Sequence, residues 1–229
     1  MYPCIILCGG LATRLGKIAS ETPKCLLKVN DKPFLYYQLK LLEESGIKQV
    51  FLSVGHLSNK FYEFIESYSF KKMSIKLVED GSSPLGTGGA VKNIIKELDS
   101  PSFVMYGDSF LRVNFLEIYK AYNHNEGPLI TIFKNNNKYD KSNIYFEGDD
   151  IIYNKSTPKK SCNYIDYGVG VYDYSHFKDT SISFDLSLIQ EKYSKQKKLQ
   201  YVIAQNRFIE IGTPSSYKRA ESFFSNYEN

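Results

Sequence analysis

A short apolar run that ends at two glycines constrains the fold of this chain more than any other stretch. Residues 5–7 are Ile-Ile-Leu, the composition of a buried strand in a parallel sheet, and Gly9 and Gly10 end the run. Such a strand delivers its loop to the carboxyl edge of the sheet, where open α/β sheets bind ligands. The sequence therefore predicts an α/β fold with a binding loop directly after its first strand.

The loop after this strand carries the groups of a polyphosphate site. Glycines without Cβ atoms let backbone N–H groups approach phosphate oxygens. Thr13, Arg14 and Lys24 add a hydroxyl group and two positive charges nearby. The G-x-G-x-x-G spacing of dinucleotide-binding loops is absent here, and so is the Walker A spacing of glycines followed by Lys-Ser/Thr. We interpret the loop as a site for a nucleoside triphosphate of a different kind.

The first half of the chain repeats strand, loop and helix three times. This repeat predicts a parallel sheet with right-handed crossovers. The predicted strands after the first are 50–54, 74–79 and 103–106. The predicted helices are 34–45, one opened by Gly55-His56-Leu57, and one that follows 85–90 and carries Val91, Ile94, Ile95 and Leu98.

The second half has a different pattern and predicts a mixed sheet. Its strand-like pieces are 129–133, 143–146, 151–153, 168–172, 200–203 and 208–211. Helices are predicted at about 185–193 and from Pro214, a favoured first-turn residue, through 224. At 229 residues without an internal repeat or linker, we expect one domain over 1–229.

Charge and composition exclude several classes of protein. The net charge of +4 is a mild excess that favours anionic small molecules, and the chain lacks the dense basic stripe of a nucleic-acid binder. The four cysteines show no paired CxxC metal spacing, so we expect reduced, packed thiols. No run reaches the roughly 20 apolar residues of a membrane helix, and no leader-like segment opens the chain. We expect a cytoplasmic protein without membrane insertion.

The N-terminal loop resembles the signature of the sugar-1-phosphate nucleotidyltransferases, G-G-x-G-T-R-L followed by Pro-Lys. This chain has Gly-Gly-Leu-Ala-Thr-Arg-Leu at 9–15 and then Pro23-Lys24, with Ala12 where the family commonly has glycine. The resemblance extends from the first strand to Pro214. Among the members of the family, this short chain most resembles bacterial enzymes that activate heptose 1-phosphate with GTP. It implies a Rossmann-like three-layer nucleotidyltransferase fold with a mostly parallel mixed central sheet, divided into a nucleotide-binding half, about 1–112, and an acceptor-binding half, about 113–229.

Two motifs of the first half agree with this resemblance. Asp108 follows an apolar strand, so its carboxylate should reach the same sheet edge as Gly9, and one carboxylate with phosphate oxygens suffices to begin a Mg²⁺ site. The segment 85–89 resembles the family's nucleobase loop, whose glycines leave room for a flat base. The resemblance implies that the nucleotide-binding residues are Leu7, Gly9, Gly10, Thr13, Arg14, Lys24, Gly86, Thr87 and Gly88.

Three motifs of the second half resemble acceptor and metal segments. In 153–155, Lys155 falls where the family's lysine meets the sugar phosphate, and Asn154 replaces a glutamate. The segment 166–168 falls where the family has an acceptor-binding segment, which points to Tyr167 and Gly168. Glu210 falls where the family's W-x-D-x-G-T-P segment supplies a second magnesium ligand beside Asp108. Its additional methylene leaves direct coordination or coordination through water open.

The resemblance implies a reaction of NTP with sugar 1-phosphate that gives NDP-sugar and pyrophosphate, for cell-surface polysaccharide synthesis. Arg14, Lys24 and Asp108 would be catalytic with Mg²⁺ as cofactor, and heptose 1-phosphate with GTP is the leading substrate pair. A GT-A glycosyltransferase is disfavoured because Asp108-Ser109-Phe110 lacks a D-x-D motif. A cytidylyltransferase for phosphocholine, a non-catalytic nucleotide-binding regulator and a homo-oligomer stay open.

Overall fold

The computed structural model describes residues 1–10, 21–81 and 83–227, so the predicted site residues Thr13 and Arg14 lie outside the described part of the chain. Its strands are β1 (Cys4–Leu7), β2 (Lys28–Val29), β3 (Lys32–Pro33), β4 (Gln49–Val54), β5 (Ser74–Glu79), β6 (Ser102–Tyr106), β7 (Ser109–Phe110), β8 (Leu129–Lys134), β9 (Ile144–Glu147), β10 (Asp150–Tyr153), β11 (Tyr164–Tyr172), β12 (Gln200–Ile203) and β13 (Ile209–Glu210). Its α-helices are α1 (Phe34–Glu44), α2 (Asn59–Ser67), α3 (Gly86–Ile95), α4 (Phe115–Ala121), α5 (Ser187–Lys195) and α6 (Pro214–Tyr227), and short 3₁₀ turns cover Lys24–Leu26 and Tyr174–Phe177.

Four parallel strands in the order β6-β1-β4-β5 form the first half of the central sheet. Helices cover both faces, which is why β1, β4 and β6 are mainly apolar, whereas the edge strand β5 carries polar residues as well. Cys4 and Ile6 belong to the same buried cluster as side chains of α1 and α2, whereas Ile5 packs with side chains of α3 on the opposite face. The predicted three-layer α/β arrangement is confirmed.

The second half extends the same sheet with antiparallel strands. β11 runs antiparallel to β6, β8 and β9, the β9–β10 hairpin lies at one end, and β12 pairs in parallel with β8. The described residues thus form a nine-stranded mixed sheet, as the second half of the sequence predicted. β11 begins at Tyr164, four residues before the predicted start. Its pairing with β8 is interrupted by a bulge between Asp166 and Gly170 and resumes on the N-terminal side of that bulge, outside the apolar segment of the strand.

Two helices differ from the sequence-based expectation. The predicted helix opened by residues 55–57 begins only at Asn59, because Leu57 has a φ of +62°, which an α-helix does not accommodate. α4 was not predicted at all. It is short, and its start is set by the Asn114 side chain, which accepts hydrogen bonds from the N–H groups of Leu116 and Glu117.

A small two-stranded sheet brings distant residues to the carboxyl edge of the large one. β13 pairs antiparallel with β7, so that Glu210 lies opposite Ser109, and Ile211 N–H donates to the carbonyl oxygen of Asp108 at 3.1 Å. Within the residues described, every helix is too short or too polar to cross a membrane.

Candidate active site

Two adjoining clefts open along the carboxyl edge of the parallel strands. The first cleft, of about 320 Å³, is lined by residues that follow β1, β5 and β6 and by the start of α3. The second cleft, of about 390 Å³, is lined mainly by β11, by the segment after β10 and by β13. Lys24, Tyr106 and Asp108 line both clefts. A molecule in one cleft would therefore meet a molecule in the other at these three side chains.

Lys24 and Asp108 form an ion pair at the junction of the clefts. Lys24 Nζ lies 2.6 Å from Asp108 Oδ2, and the Ser109 hydroxyl donates to Asp108 Oδ1 at 3.1 Å. The Lys24 side chain is 19% exposed and that of Asp108 39% exposed, so the carboxylate remains open to the cleft. Lys24 begins a 3₁₀ turn after Pro23, and Asp108 lies two residues after the end of β6, so both side chains are held close to regular backbone segments.

The first cleft contains the glycine loop that follows β1. Leu7, Gly9 and Gly10 line it, and both glycines are exposed. A Cβ on Gly10 would meet open space among the described atoms, whereas one on Gly9 would lie 3.2 Å from Asp80 Oδ2. Asp80 also lines this cleft, and the sequence analysis did not identify it.

The floor of the first cleft is made by two thiols. Cys8 and Cys25 line it, and all four cysteines of the chain are buried and free, as expected. Burial and a hydrogen bond with Cys25 raise the pKa of Cys8 well above its ordinary value. The Cys8 thiol is therefore a protonated packing group at neutral pH.

The predicted nucleobase loop divides between the cleft and the protein interior. Gly86 and Thr87 line the first cleft, but Gly88 is buried and donates its N–H to the carbonyl oxygen of Phe184 at 2.8 Å. A Cβ on Gly88 would overlap the Phe184 ring, and one on Gly86 would lie 2.6 Å from the Phe184 carbonyl oxygen. The close approach of Phe184 thus accounts for these two glycines without a nucleobase.

Three of the four predicted acceptor residues line the second cleft, namely Lys155, Tyr167 and Gly168. Asn154 does not line it. Its side-chain oxygen accepts a hydrogen bond from Thr157 N–H at 2.9 Å and closes a turn around Lys155. Lys155 N–H in turn donates to Glu191 Oε1 at 3.1 Å, so a residue of α5 holds the backbone of this turn.

Asp166 is an additional carboxylate of the second cleft. Its side chain accepts hydrogen bonds from Gly168 N–H at 3.0 Å and from Gln190 Nε2 at 2.9 Å. Burial raises the pKa of Asp166 above its ordinary value, although these hydrogen bonds and the nearby charge of Lys155 oppose the shift. Gly168 has a φ of +99° at the bulge in β11, and this turn directs its N–H toward the carboxylate.

The raised pKa of Asp166 has a consequence for stability. Because the folded state binds this proton more tightly than the unfolded state, the contribution of Asp166 to stability is greatest below its ordinary pKa of 3.8 and falls as the pH rises through the folded pKa. We expect Asp166→Asn to raise the free energy of unfolding at pH 7, with the difference shrinking toward pH 4. Urea denaturation at both pH values measures it, and an equal difference at both would contradict the buried charge as its cause.

Glu210 lies in the second cleft but is already engaged. Its Oε2 accepts hydrogen bonds from Gly212 N–H at 2.5 Å and from the Ser216 hydroxyl at 2.9 Å, and Arg219 Nη2 lies 3.5 Å from Oε1. No group of three or more His, Cys, Asp or Glu side chains that could hold a metal occurs in the part of the chain that the structure describes. Asp108, with its partly exposed carboxylate, is the better candidate for binding a hard cation.

Comparison with known proteins identifies the family of this chain. A family model described as a MobA-like NTP transferase domain matches residues 4–181. A D-glycero-alpha-D-manno-heptose 1-phosphate guanylyltransferase from Campylobacter jejuni is 32% identical over 222 residues, which cover 93% of this chain and 96% of the relative. A protein of the same name from Aneurinibacillus thermoaerophilus is 31% identical, with 97% of this chain and 98% of the relative covered.

A solved structure has the same fold over almost the whole chain. HddC from Yersinia pseudotuberculosis, complexed with GMP-PN, matches with a TM-score of 0.82 and 22% sequence identity. The match covers 98% of this chain and 100% of that one. At this level of identity the likeness shows a shared nucleotidyltransferase fold.

Proposed function

Because the chain belongs to the MobA-like NTP transferase domain family, and is thus a nucleotidyltransferase, we propose that it joins GTP and heptose 1-phosphate into GDP-heptose with release of pyrophosphate. The pair of substrates is the one in the names of the two relatives that are 31–32% identical. The product would supply sugar for cell-surface polysaccharide. The observation that carries the proposal is the junction of two clefts at Lys24 and Asp108.

In this proposal the triphosphate occupies the first cleft and the sugar phosphate the second. A phosphate oxygen of the acceptor attacks the α-phosphorus, the new P–O bond forms, and the bond from the α-phosphorus to the bridging oxygen breaks as pyrophosphate leaves. Lys24 places its positive charge where negative charge grows during this displacement. Gly9 and Gly10 leave their backbone open to phosphate oxygens. Holding both substrates in line supplies a large part of the rate acceleration.

A divalent cation fits the donor set at the junction, and we propose Mg²⁺. Mg²⁺ commonly takes one or two carboxylates together with substrate phosphates and water, and the partly exposed carboxylate of Asp108 is such a donor. Glu210 would join through Oε1, directly or through water, since Gly212 and Ser216 already occupy its Oε2. When bound, the cation would neutralise phosphate charge.

Phosphocholine is a weaker candidate for the acceptor. A quaternary ammonium group is recognised by open faces of aromatic rings. Four rings of the described residues line the second cleft, and Tyr153 and Tyr167 are only 4% and 2% exposed, which leaves Tyr106 and Phe208 as the partly exposed ones. In addition, Lys155 and the carboxylate of Asp166 suit the phosphate and the hydroxyl groups of a sugar, and phosphocholine has no such hydroxyl groups.

The proposal is tested by a matrix of substrates. GTP, ATP, CTP and UTP are each combined with heptose, hexose and hexosamine 1-phosphates and with phosphocholine, and pyrophosphate release is followed with and without Mg²⁺. We expect the highest kcat/KM for GTP with heptose 1-phosphate. Turnover of CTP with phosphocholine alone would contradict the sugar acceptor, and nucleotide binding without turnover of any pair would indicate a regulator.

Lys155→Ala separates the acceptor cleft from the nucleotide cleft. One charge-assisted hydrogen bond to an anion contributes roughly 1.5–3 kcal/mol, so we expect kcat/KM for the sugar phosphate to fall about tenfold or more. Nucleotide affinity, measured by calorimetry without acceptor, should stay at the level of the unaltered protein. Lys159→Ala is the matched control, because Lys159 lies on the same segment but contacts Tyr145 and Glu147. Equal losses in nucleotide and acceptor binding would place Lys155 on the triphosphate.

A further inference from the structure

We propose that Asp80 selects the nucleobase in the first cleft, and that it selects guanine by accepting hydrogen bonds from the N1–H group and the exocyclic amino group. The inference rests on the proposed function, because it assumes that a nucleoside triphosphate occupies this cleft. It adds a specificity-determining residue that neither the glycine loop nor the Leu85–Gly89 motif contains.

The direction in which a nucleotide must lie follows from the order of the strands. Asp108 follows β6, Gly9 follows β1, Gly55 follows β4 and Asp80 follows β5, and these strands are neighbours in that order. The only lysine among the described residues that line the first cleft, Lys24, is paired with Asp108 at the β6 end. A triphosphate therefore lies at that end, and the base points toward the β5 end, where Asp80 lies.

The Asp80 carboxylate is held in place over the glycine loop. The Ser53 hydroxyl donates to Asp80 Oδ1 at 3.0 Å, and Asp80 N–H donates to the carbonyl oxygen of Val54 at 3.0 Å. Asp80 Oδ2 lies 3.2 Å from the place where a Cβ of Gly9 would stand and 3.8 Å from that of Gly55. Both glycines thus leave room for this side chain, and Oδ2 faces the backbone of the cleft.

The chemistry of a carboxylate favours guanine over the other bases. An ionised carboxylate only accepts hydrogen bonds, and it has two oxygens. On its pairing edge guanine presents two adjacent donors, the N1–H and the 2-amino group. Adenine and cytosine each present one amino group beside an acceptor nitrogen, and uracil presents one N–H between two carbonyl oxygens. Only guanine offers one hydrogen-bond donor to each oxygen of the carboxylate. In each of the other bases an acceptor atom would face a carboxylate oxygen, and two acceptors repel each other.

The two other acids near this cleft have different surroundings. Glu79 Oε1 accepts a hydrogen bond from the Tyr62 hydroxyl at 3.5 Å, and Glu79 does not line the first cleft. Asp185 lines the cleft, but its Oδ1 accepts from the Thr87 hydroxyl at 3.4 Å, and this contact joins it to the start of α3. Asp80 is therefore the carboxylate whose position fits the edge of a base.

The test measures binding of GTP, ITP, ATP and CTP to the full chain by calorimetry with Mg²⁺ and without acceptor. ITP lacks the 2-amino group of GTP and is otherwise the same ligand, so it probes one predicted hydrogen bond without any substitution. We expect the unaltered protein to bind GTP about tenfold or more tightly than ITP, because a hydrogen bond to a charged group is lost with ITP. Equal affinity for GTP and ITP would overturn the inference.

Substitution of Asp80 then identifies the residue responsible. In Asp80→Asn the preference for GTP over ITP should fall to about twofold or less, with ITP affinity changed less than GTP affinity. Glu79→Gln, the matched control one residue away, should keep the preference. Equal weakening of all four nucleotides in Asp80→Asn would show a structural role and overturn the inference. Failure of the unaltered protein to bind any nucleotide would instead contradict the proposed function, so the two failures are distinguishable.

Discussion

Replacement of Asp108 with asparagine is expected to lower the rate of pyrophosphate formation about a thousandfold or more while the fold stays intact. The amide is a poor ligand for a hard cation, and the partly exposed carboxylate is the group at the junction of the clefts that fits such an ion. A loss of this size corresponds to about 4 kcal/mol in the activation barrier. It is measured as pyrophosphate release at saturating Mg²⁺, with a thermal melt of the same sample.

The control for Asp108→Asn is Asp149→Asn. Asp149 is exposed in the turn between β9 and β10 and lines neither cleft, and its replacement removes the same charge. It should leave turnover unchanged. Activity of Asp108→Asn within about tenfold of the unaltered protein, or ~1.4 kcal/mol in the barrier, would place the metal elsewhere.

Replacement of Lys24 with methionine is expected to lower kcat about a hundredfold or more. Methionine keeps much of the aliphatic chain but removes the charge that lies 2.6 Å from Asp108. The negative charge that Lys24 opposes grows as the transition state of the displacement at phosphorus is reached. The loss of Lys24 should therefore lower kcat and not only raise KM for GTP. Steady-state kinetics with GTP varied at saturating acceptor separate the two parameters.

Lys28→Met is the matched control for Lys24→Met. Lys28 begins β2, is exposed, and lines neither cleft. A rise in KM alone for Lys24→Met would mean that this lysine binds ground state and transition state equally, and its assignment as a catalytic residue would then be wrong.

The strands of the central sheet were predictable because local sequence decides them. β1, β4 and β6 are buried on both faces and appear as apolar runs of four to six residues, and α1 shows its buried residues at helical spacing. α4 was missed because seven residues are too few for a clear period and its start depends on one capping side chain. β7 was missed because it has two residues and is defined only by its pairing with β13 about a hundred residues later, whereas β13 lies within the strand predicted at 208–211.

Residues brought into the site by long-range contacts were harder to predict. The sequence attributes the glycines at 86 and 88 to a nucleobase, but their neighbour in the structure is Phe184, nearly a hundred residues later. Asp80 and Glu79 are adjacent carboxylic acid residues at the end of a strand. Which of them enters the first cleft depends on the direction of the chain where β5 ends, and that is a property of the whole sheet.

The contact of Phe184 with the glycines of α3 limits how this enzyme can be recombined with its relatives. A chimera that takes only residues 113–229 from a donor chain would place the donor's residue 184 against Gly86 and Gly88, where this chain packs the backbone and ring of Phe184. The Leu186 N–H bond to the Thr87 hydroxyl, 2.9 Å long, crosses the same boundary. Residues 85–89 and 182–186 must therefore come from the same parent in any chimera, although two distant parts of the gene encode them.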